Sequence, residues 1–158
     1  MLRLDVEIDT QKMFVYDDDK LIKSYLISTA KNGPGELHGS EKTPHGLHII
    51  RAKIGAGAKA NTVFVGRRKT GEIYTPEMKY QFPNRDWILT RILWLSGMEK
   101  GKNRLREVDT MRRYIYIHGT PDEVEMGKPG SKGCIRMRNK DIIELYDLVP
   151  VRTPIFIR

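Results

Sequence analysis

Hydrophobic and polar residues alternate along the first part of the chain. Four apolar residues at even positions are separated by charged ones: Leu2, Leu4, Val6 and Ile8. A period of two is typical of a strand with one buried face. The segment 12–29, KMFVYDDDKLIKSYLIST, then has two strand-like runs on either side of the acidic turn Asp17 to Asp19, which predicts a hairpin.

The middle of the chain contains one long loop and several short strand patterns. Residues 30–46 are rich in glycine and proline, which predicts a surface loop. Strands are predicted at 47–54, 61–67 and 71–75. The segment 86–97, DWILTRILWLSG, is ambiguous because apolar residues recur at helical spacing in a run rich in strand formers. We interpret it as a strand.

The last third of the chain contains a strand, a loop with the only cysteine, and the one predicted helix. In 112–119, RRYIYIHG, the residues Tyr114, Tyr116 and His118 share one face of a strand. After the loop, Asn139 is a suitable N-cap. Four apolar residues share one face of the following helix: Ile142, Leu145, Tyr146 and Val149. Pro150 ends that helix, and the segment 153–158 predicts a closing strand.

These elements predict a mainly β fold. We expect one domain over residues 1–158, a sandwich or barrel of short strands with one helix near the C-terminus. A length of 158 residues, 39% hydrophobic and 30% charged, is typical of a globular protein with a real core. One cysteine cannot form an internal disulfide, and no apolar run approaches the ~20 residues of a membrane span.

The charge balance is basic, with 28 Lys and Arg against 20 Asp and Glu, a net charge of +8. A basic balance of this kind suggests an anionic partner, and nucleic acid is the first candidate. The basic residues are spread along the chain, however, and no basic motif interleaved with aromatics is present. We therefore expect a solvated basic surface and no nucleic-acid partner.

Candidate chemistry centres on Cys134 in the loop GKPGSKGCIRM, 127–137. A thiol is mostly protonated near pH 7, so a catalytic cysteine needs a base or a positive environment. His118 ends a predicted strand above a glycine turn, sixteen positions before the cysteine. On the residues alone, a buried inert cysteine and a structural histidine remain the alternative.

A zinc site is a further alternative. The pair His45 and His48, with His38 and Cys134, has ligand types that zinc accepts. The cluster lacks a second closely spaced pair, so we prefer the thiol and imidazole pairing and expect no metal and no organic cofactor.

The stretch 116–149 resembles the signature of the L,D-transpeptidase (YkuD) family. A histidine is followed at the family's spacing by the cysteine motif, and these residues match it: His118, Ser131, Gly133, Cys134, Ile135 and Arg136. The segment KTPHGLHII, 42–50, resembles the family's strand entry, and the likeness covers nearly the whole chain. One position departs from the pattern, because Lys132 stands where the family usually has histidine.

The resemblance implies a cysteine acyl-transferase that acts on the stem tetrapeptides of peptidoglycan. Cys134 would attack the carbonyl of the third residue, typically meso-diaminopimelate, whose long side chain ends in an amine and a carboxylate, and would expel the terminal D-alanine, with His118 as the base. The carbonyl of Gly119 would orient the imidazole, and the N–H groups of Gly133 and Cys134 would form the oxyanion hole.

Ser131 and Arg136 are the expected substrate-binding residues, although each could instead brace the loop. The carboxylates of stem peptides would then explain the basic balance.

Water or a second peptide amine could resolve the thioester. The N-terminus has no continuous apolar stretch of a secretory signal, so we expect a cytoplasmic protein that meets soluble muropeptides, or a periplasmic one if a leader has been removed. Hydrolysis, an L,D-carboxypeptidase activity in peptidoglycan recycling, is therefore preferred over 3→3 cross-linking. The rival of another class is a non-catalytic module that binds wall peptide or nucleic acid. No local signature of papain-like or caspase-like proteases surrounds Cys134.

Overall fold

A computed structural model describes all 158 residues as one curled sheet with two helices. The ten strands are β1 (Leu2–Glu7), β2 (Lys12–Asp17), β3 (Lys20–Leu26), β4 (Gly46–Ile54), β5 (Thr62–Val65), β6 (Arg68–Ile73), β7 (Ile88–Gly97), β8 (Tyr116–Thr120), β9 (Ile135–Arg138) and β10 (Pro154–Ile157). The helices are α1 (Pro76–Gln81) and α2 (Asn139–Leu148), and a 3₁₀ turn spans Arg106–Val108. The predicted mainly β class with one main helix near the C-terminus is confirmed.

The sheet has the order β3-β2-β1-β10-β4-β7-β5-β6, and β8 branches from β7 to pair with β9. The branch is at the ten-residue strand β7, because residues 92–94 pair with both β4 and β8, and residues 88–89 pair with β5. Its register with β8 shifts between Leu89 and Ile92, where the buried Thr90 has a φ of 77°. The segment interpreted as a strand despite its helical spacing is thus the central strand of the fold.

The N-terminal pattern folds as predicted. In β1 the residues Leu4 and Val6 are fully buried, and β2 and β3 form the hairpin, with Asp17 opposite Lys20 at its turn. The strand β10 closes the sheet by pairing in parallel with β1 and antiparallel with β4. Burial of such apolar side chains stabilises the fold by about 25 cal/mol for each Å² removed from water.

The helix α2 packs on the branch of β7, β8 and β9 through Ile142 and Leu145, which are fully buried. The prediction that Asn139 is its N-cap was wrong by one position: Arg138 is the N-cap and makes no side-chain cap. The amide of Asn139 is used elsewhere, because it accepts a hydrogen bond from Thr90 Oγ1 at 2.6 Å and donates to Asp122 at 3.1 Å.

Three elements were not predicted: the strand β9 directly after Cys134, the short helix α1 and the 3₁₀ turn. The strand β9 matters most, because its parallel pairing with β8 places Arg136 beside His118. None of the helices is both long and apolar enough to cross a membrane.

Candidate active site

The sequence-predicted residues Cys134 and His118 line one cavity of about 470 Å³. His118 lies in β8, and Cys134 immediately precedes β9, so the parallel pairing of these strands brings the two residues to the same end of the sheet. The wall of the cavity is basic, with one acid, and consists of these charged side chains: Arg67, Arg113, Lys132, Arg136 and Asp86. The arrangement can hold an anionic ligand next to a thiol and an imidazole.

The loop before Cys134 is held by hydrogen bonds from both sides. The Ser131 hydroxyl donates to the Cys134 carbonyl at 2.6 Å and accepts the Gly133 N–H at 3.2 Å. The buried Thr43 hydroxyl, from the predicted surface loop, donates to the Gly133 carbonyl at 2.9 Å and accepts the Ala30 N–H at 2.9 Å. Ser131 therefore braces the loop in this structure, and substrate binding by its hydroxyl stays a prediction.

Gly133 needs to be glycine for two reasons. Its φ of 130° lies where side chains are rarely tolerated. A Cβ at this position would lie 3.2 Å from Ile115 Cδ1 and 3.3 Å from the Lys42 carbonyl oxygen. The backbone conformation that presents Cys134 to the cavity thus depends on the absence of a side chain one residue earlier.

The Cys134 thiol is partly buried and makes hydrogen bonds to two backbone groups. Its Sγ donates to the Tyr114 carbonyl at 3.4 Å and accepts the Tyr116 N–H at 3.3 Å. Burial raises the pKa of the Cys134 thiol to about 12, although the Tyr116 N–H and the cations Arg136 and Arg113 act in the opposite direction. The raised pKa favours the neutral thiol over a thiolate in the resting site.

The imidazole of His118 is held in one orientation by the backbone. Its Nδ1 lies 2.6 Å from the Gly119 carbonyl oxygen, which can only accept, so Nδ1 carries the proton and Nε2 holds a lone pair. Burial lowers the pKa of His118, a trend that Asp86 and the Gly119 carbonyl oppose. Nε2 is buried and has no hydrogen-bond partner, which is costly for a polar atom and typical of a functional site.

Gly119 contacts the imidazole as predicted, and its surroundings exclude a side chain. A Cβ there would overlap with Asn139 Oδ1 and lie 2.6 Å from the Leu89 carbonyl oxygen. The catalytic role of the Gly119 carbonyl stays a prediction.

No hydrogen bond joins Cys134 Sγ to His118 Nε2 in this structure, since the thiol is turned to Tyr114. Catalytic hydrogen bonds are often absent without substrate and form in the complex. Of the two predicted oxyanion donors, the Cys134 N–H makes no hydrogen bond within the protein, whereas the Gly133 N–H is held by Ser131. The roles of both N–H groups stay predictions.

The two terminal nitrogens of Arg136 each make one hydrogen bond within the protein, whereas its buried Nε has no partner. Its guanidinium donates to the Gly130 carbonyl at 3.0 Å and pairs with Asp86 at 3.4 Å, which ties the loop to the segment before β7. Lys132 lines the cavity but is exposed and forms neither an ion pair nor a side-chain hydrogen bond. Arg136 thus braces the loop, and its contact with substrate stays a prediction.

The alternative zinc cluster is not assembled. The buried His48 hydrogen-bonds the Gly46 carbonyl and the Thr110 hydroxyl, each at 2.9 Å, and burial lowers the pKa of His48 to about 4. His45 lies 3.4 Å from Glu36. No group of three potential ligand residues is close enough to hold a metal ion.

Several site residues were missed by sequence reasoning. Arg67 enters the cavity from a distant part of the chain, Arg113 enters it from just before β8, and Thr43 supports the loop from 90 positions away. The basic clusters GRRKTG and TMRRY contain the two arginines and are the only signal that could have found them.

Comparison with known proteins identifies the class. The L,D-transpeptidase catalytic domain of the YkuD type matches residues 2–157, so the chain belongs to this family. A curated relative, the putative L,D-transpeptidase YkuD of Bacillus subtilis (strain 168), is 34% identical over 106 residues, which are 66% of this chain and 63% of the relative. The chain therefore covers less than two thirds of that protein.

Solved structures share the fold over 99% of this chain. An L,D-transpeptidase from Mycobacterium smegmatis has a TM-score of 0.59 at 18% identity, with 58% of its chain covered. The L,D-transpeptidase 3 from Mycobacterium tuberculosis, in complex with a faropenem-derived adduct, has a TM-score of 0.60 at 13% identity, with 60% covered. At such identities the likeness shows the fold alone.

Proposed function

We propose that this chain is a cysteine acyl-transferase that acts on peptidoglycan stem tetrapeptides and releases the terminal D-alanine through a thioester on Cys134. The observation that carries the proposal is the shared cavity of about 470 Å³ in which Cys134 lies with His118, whose Nε2 is buried and unpartnered. Membership of the L,D-transpeptidase family supports the same chemistry.

The first step is a coupled attack and proton transfer. Because both groups are neutral at rest, peptide binding has to turn Sγ from the Tyr114 carbonyl toward His118 Nε2. Sγ then bonds to the carbonyl carbon of the third residue while its proton passes to Nε2. Collapse of the tetrahedral intermediate breaks the C–N bond, and the imidazolium gives that proton to the departing amine of D-alanine.

The oxyanion is stabilised by backbone donors of the cysteine loop. The Cys134 N–H is available, and the Gly133 N–H can join it by exchanging Ser131 Oγ for the oxyanion. Loss of one such donor typically lowers the rate about 10²–10³-fold. The positive φ of Gly133 and the hydrogen bond from Thr43 to its carbonyl fix the direction of these groups.

Water is the acceptor that we propose for the thioester, which makes the enzyme an L,D-carboxypeptidase of muropeptide recycling in the cytoplasm. Hydrolysis needs only the cavity already described, because the partly exposed Cys134 is open to solvent through it.

Cross-linking is the second candidate, and a second cavity of about 340 Å³ favours it. That cavity is lined by Arg51, Arg104 and Arg112. The Trp94 ring contacts one arginine of each cavity, because Arg67 of the first and Arg51 of the second lie over it, at 4.5 and 5.7 Å. A second stem peptide could bring its amine to the thioester from there.

A product assay separates the two candidates. The protein is incubated with soluble disaccharide-tetrapeptide, with and without an added acceptor amine, and the products are weighed. Tripeptide as the main product in both samples, with protein in the cytoplasmic fraction, supports the carboxypeptidase. Mainly cross-linked or amine-capped product, or periplasmic protein, overturns it in favour of transpeptidation.

The non-catalytic rival predicts a thiol that is never acylated. Since a relative of the same fold was solved with a faropenem-derived adduct, faropenem serves as the probe. We expect one adduct per chain, mapped to Cys134 by digestion. An unmodified mass after long exposure, together with no release of D-alanine, would leave the binding module as the better account.

A further inference from the structure

Arg67 makes fewer hydrogen bonds within the protein than the other two arginines of the cavity, Arg113 and Arg136, so it has the most free donors. It lies in the two-residue turn Gly66–Arg67 between β5 and β6, where both residues have a positive φ, of 57° and 63°. From this turn its side chain reaches the wall of the cavity that contains Cys134.

Aromatic side chains fix the position of this guanidinium. Its central carbon lies 4.5 Å from the centre of the Trp94 ring and 5.0 Å from that of Tyr114, and one terminal nitrogen donates to the Tyr116 hydroxyl at 2.9 Å. A guanidinium has five N–H donors, so four remain without a hydrogen-bond partner in the protein. No carboxylate is within ion-pair distance of Arg67, which leaves its charge uncompensated.

The other cations of the cavity are less suited to bind an anion. Arg136 is engaged by Asp86 and the Gly130 carbonyl. Arg113 donates to the Lys42 carbonyl at 2.6 Å and to the Gly35 carbonyl at 3.3 Å. Lys132 is exposed and unrestrained, and an ammonium cannot form the paired hydrogen bonds of a guanidinium with a carboxylate.

The reach of Arg67 indicates which carboxylate it meets. The Tyr116 N–H contacts Cys134 Sγ, while the hydroxyl at the far end of the same residue contacts Arg67. The length of the Tyr116 side chain therefore separates the Arg67 guanidinium from Cys134 Sγ. In a peptide whose third carbonyl bonds to Sγ, a carboxylate at the end of a long third side chain spans such a distance. The terminal carboxylate of the leaving residue, only three bonds from the scissile carbon, does not.

We propose that Arg67 is a specificity-determining residue that binds the carboxylate at the end of the donor peptide's third side chain. The inference rests on the proposed function, because it takes a stem tetrapeptide as the ligand of this cavity. The bond is a charge-assisted one, formed by a guanidinium that binding does not need to order further. An enzyme built in this way discriminates against a peptide in which that carboxylate is an amide.

Calorimetric titration of Cys134→Ala, which binds but cannot be acylated, tests the proposal. The probes are a disaccharide-tetrapeptide with free carboxylates, the same peptide amidated at the third side chain, and the same peptide amidated at its terminal carboxylate. Arg67→Gln is added to the Cys134→Ala protein, with Arg68→Gln as the matched control, since Arg68 is the next residue along the chain, is exposed and does not line the cavity. Arg67→Lys keeps the charge without the paired donors.

We expect Arg67→Gln to weaken binding of the free peptide about tenfold to a hundredfold, Arg67→Lys to weaken it less, and Arg68→Gln to leave it unchanged. The peptide amidated at the third side chain should bind weakly and equally to proteins with and without Arg67. Equal binding of the free peptide to both proteins overturns the proposal, and an effect of Arg67 confined to the terminal carboxylate overturns its assignment. No binding of any peptide by Cys134→Ala contradicts the proposed function itself.

Discussion

The resting Cys134 thiol should react slowly with alkylating reagents. The dependence of the labelling rate on pH tests whether its raised pKa is the cause. With a pKa of about 12, only about one Cys134 in ten thousand is a thiolate at about pH 8, against about a quarter of a free cysteine with a pKa of about 8.5. A thiolate of higher pKa is intrinsically the better nucleophile. Over the difference between a pKa of about 12 and one of about 8.5, this greater reactivity raises the alkylation rate about 25- to 55-fold and offsets part of the loss. Alkylation should therefore be at least about 40-fold slower than that of free cysteine.

The assay is iodoacetamide labelling followed by intact mass, over about pH 7 to 10, with N-acetylcysteine measured in parallel. The rate should rise about tenfold per pH unit without reaching a plateau. His118→Gln should label at the same rate as the unmodified protein, because the resting thiol bonds to Tyr114 and not to the imidazole. A plateau below about pH 8, or labelling faster than N-acetylcysteine, would show that Cys134 is a preformed thiolate and that the neutral-pair reasoning is wrong.

Further predictions concern the support of the loop, the departure at Lys132 and the buried His48. Thr43→Val leaves the Gly133 carbonyl and the Ala30 N–H unsatisfied, so urea unfolding should show a loss of about 1–3 kcal/mol for each group, with slower release of D-alanine. Lys132→Met and Lys132→His should share the alkylation profile of the unmodified protein, because the lysine is exposed and unpaired, and a raised thiol pKa in Lys132→Met would contradict this. His48 has a pKa of about 4 when folded and 6.5 when unfolded, so only the unfolded chain gains a proton between these values. The contribution of neutral His48 to the free energy of unfolding is intact above about pH 6.5 and falls by up to about 3 kcal/mol toward about pH 4. Urea unfolding of His48→Gln should lack this part of the pH dependence. An equal decline of stability in both proteins would refute the prediction.

Local patterns were sufficient to predict most of the strands. Alternation identified β1, and the acidic turn identified the hairpin of β2 and β3, because both depend on residues close together in sequence. The strand β9 was missed because four residues, IRMR, carry no pattern of their own and are a strand only through parallel pairing with β8. Likewise, Asn139 has the chemistry of an N-cap, but its side-chain amide instead accepts a hydrogen bond from the buried Thr90, 49 positions away in the sequence.

The candidate site was predictable as far as its motif extends. The spacing of His118 and Cys134 placed both residues, since the resemblance covered that stretch. The state of the thiol was not predictable, because its pKa depends on burial by side chains from elsewhere in the fold. Arg67 could not be placed either, since its contacts with Trp94 and Tyr114 exist only in the folded sheet.

The central claim is that Cys134 carries the acyl group and His118 moves its proton. Rapid acid quenching during turnover of soluble tetrapeptide, followed by intact mass and digestion, tests this claim most directly. The account predicts a tripeptide thioester on Cys134 that forms as D-alanine is released, and no adduct and no D-alanine from Cys134→Ala or His118→Ala, both still folded. Release of D-alanine by Cys134→Ala at even a tenth of the original rate would contradict it.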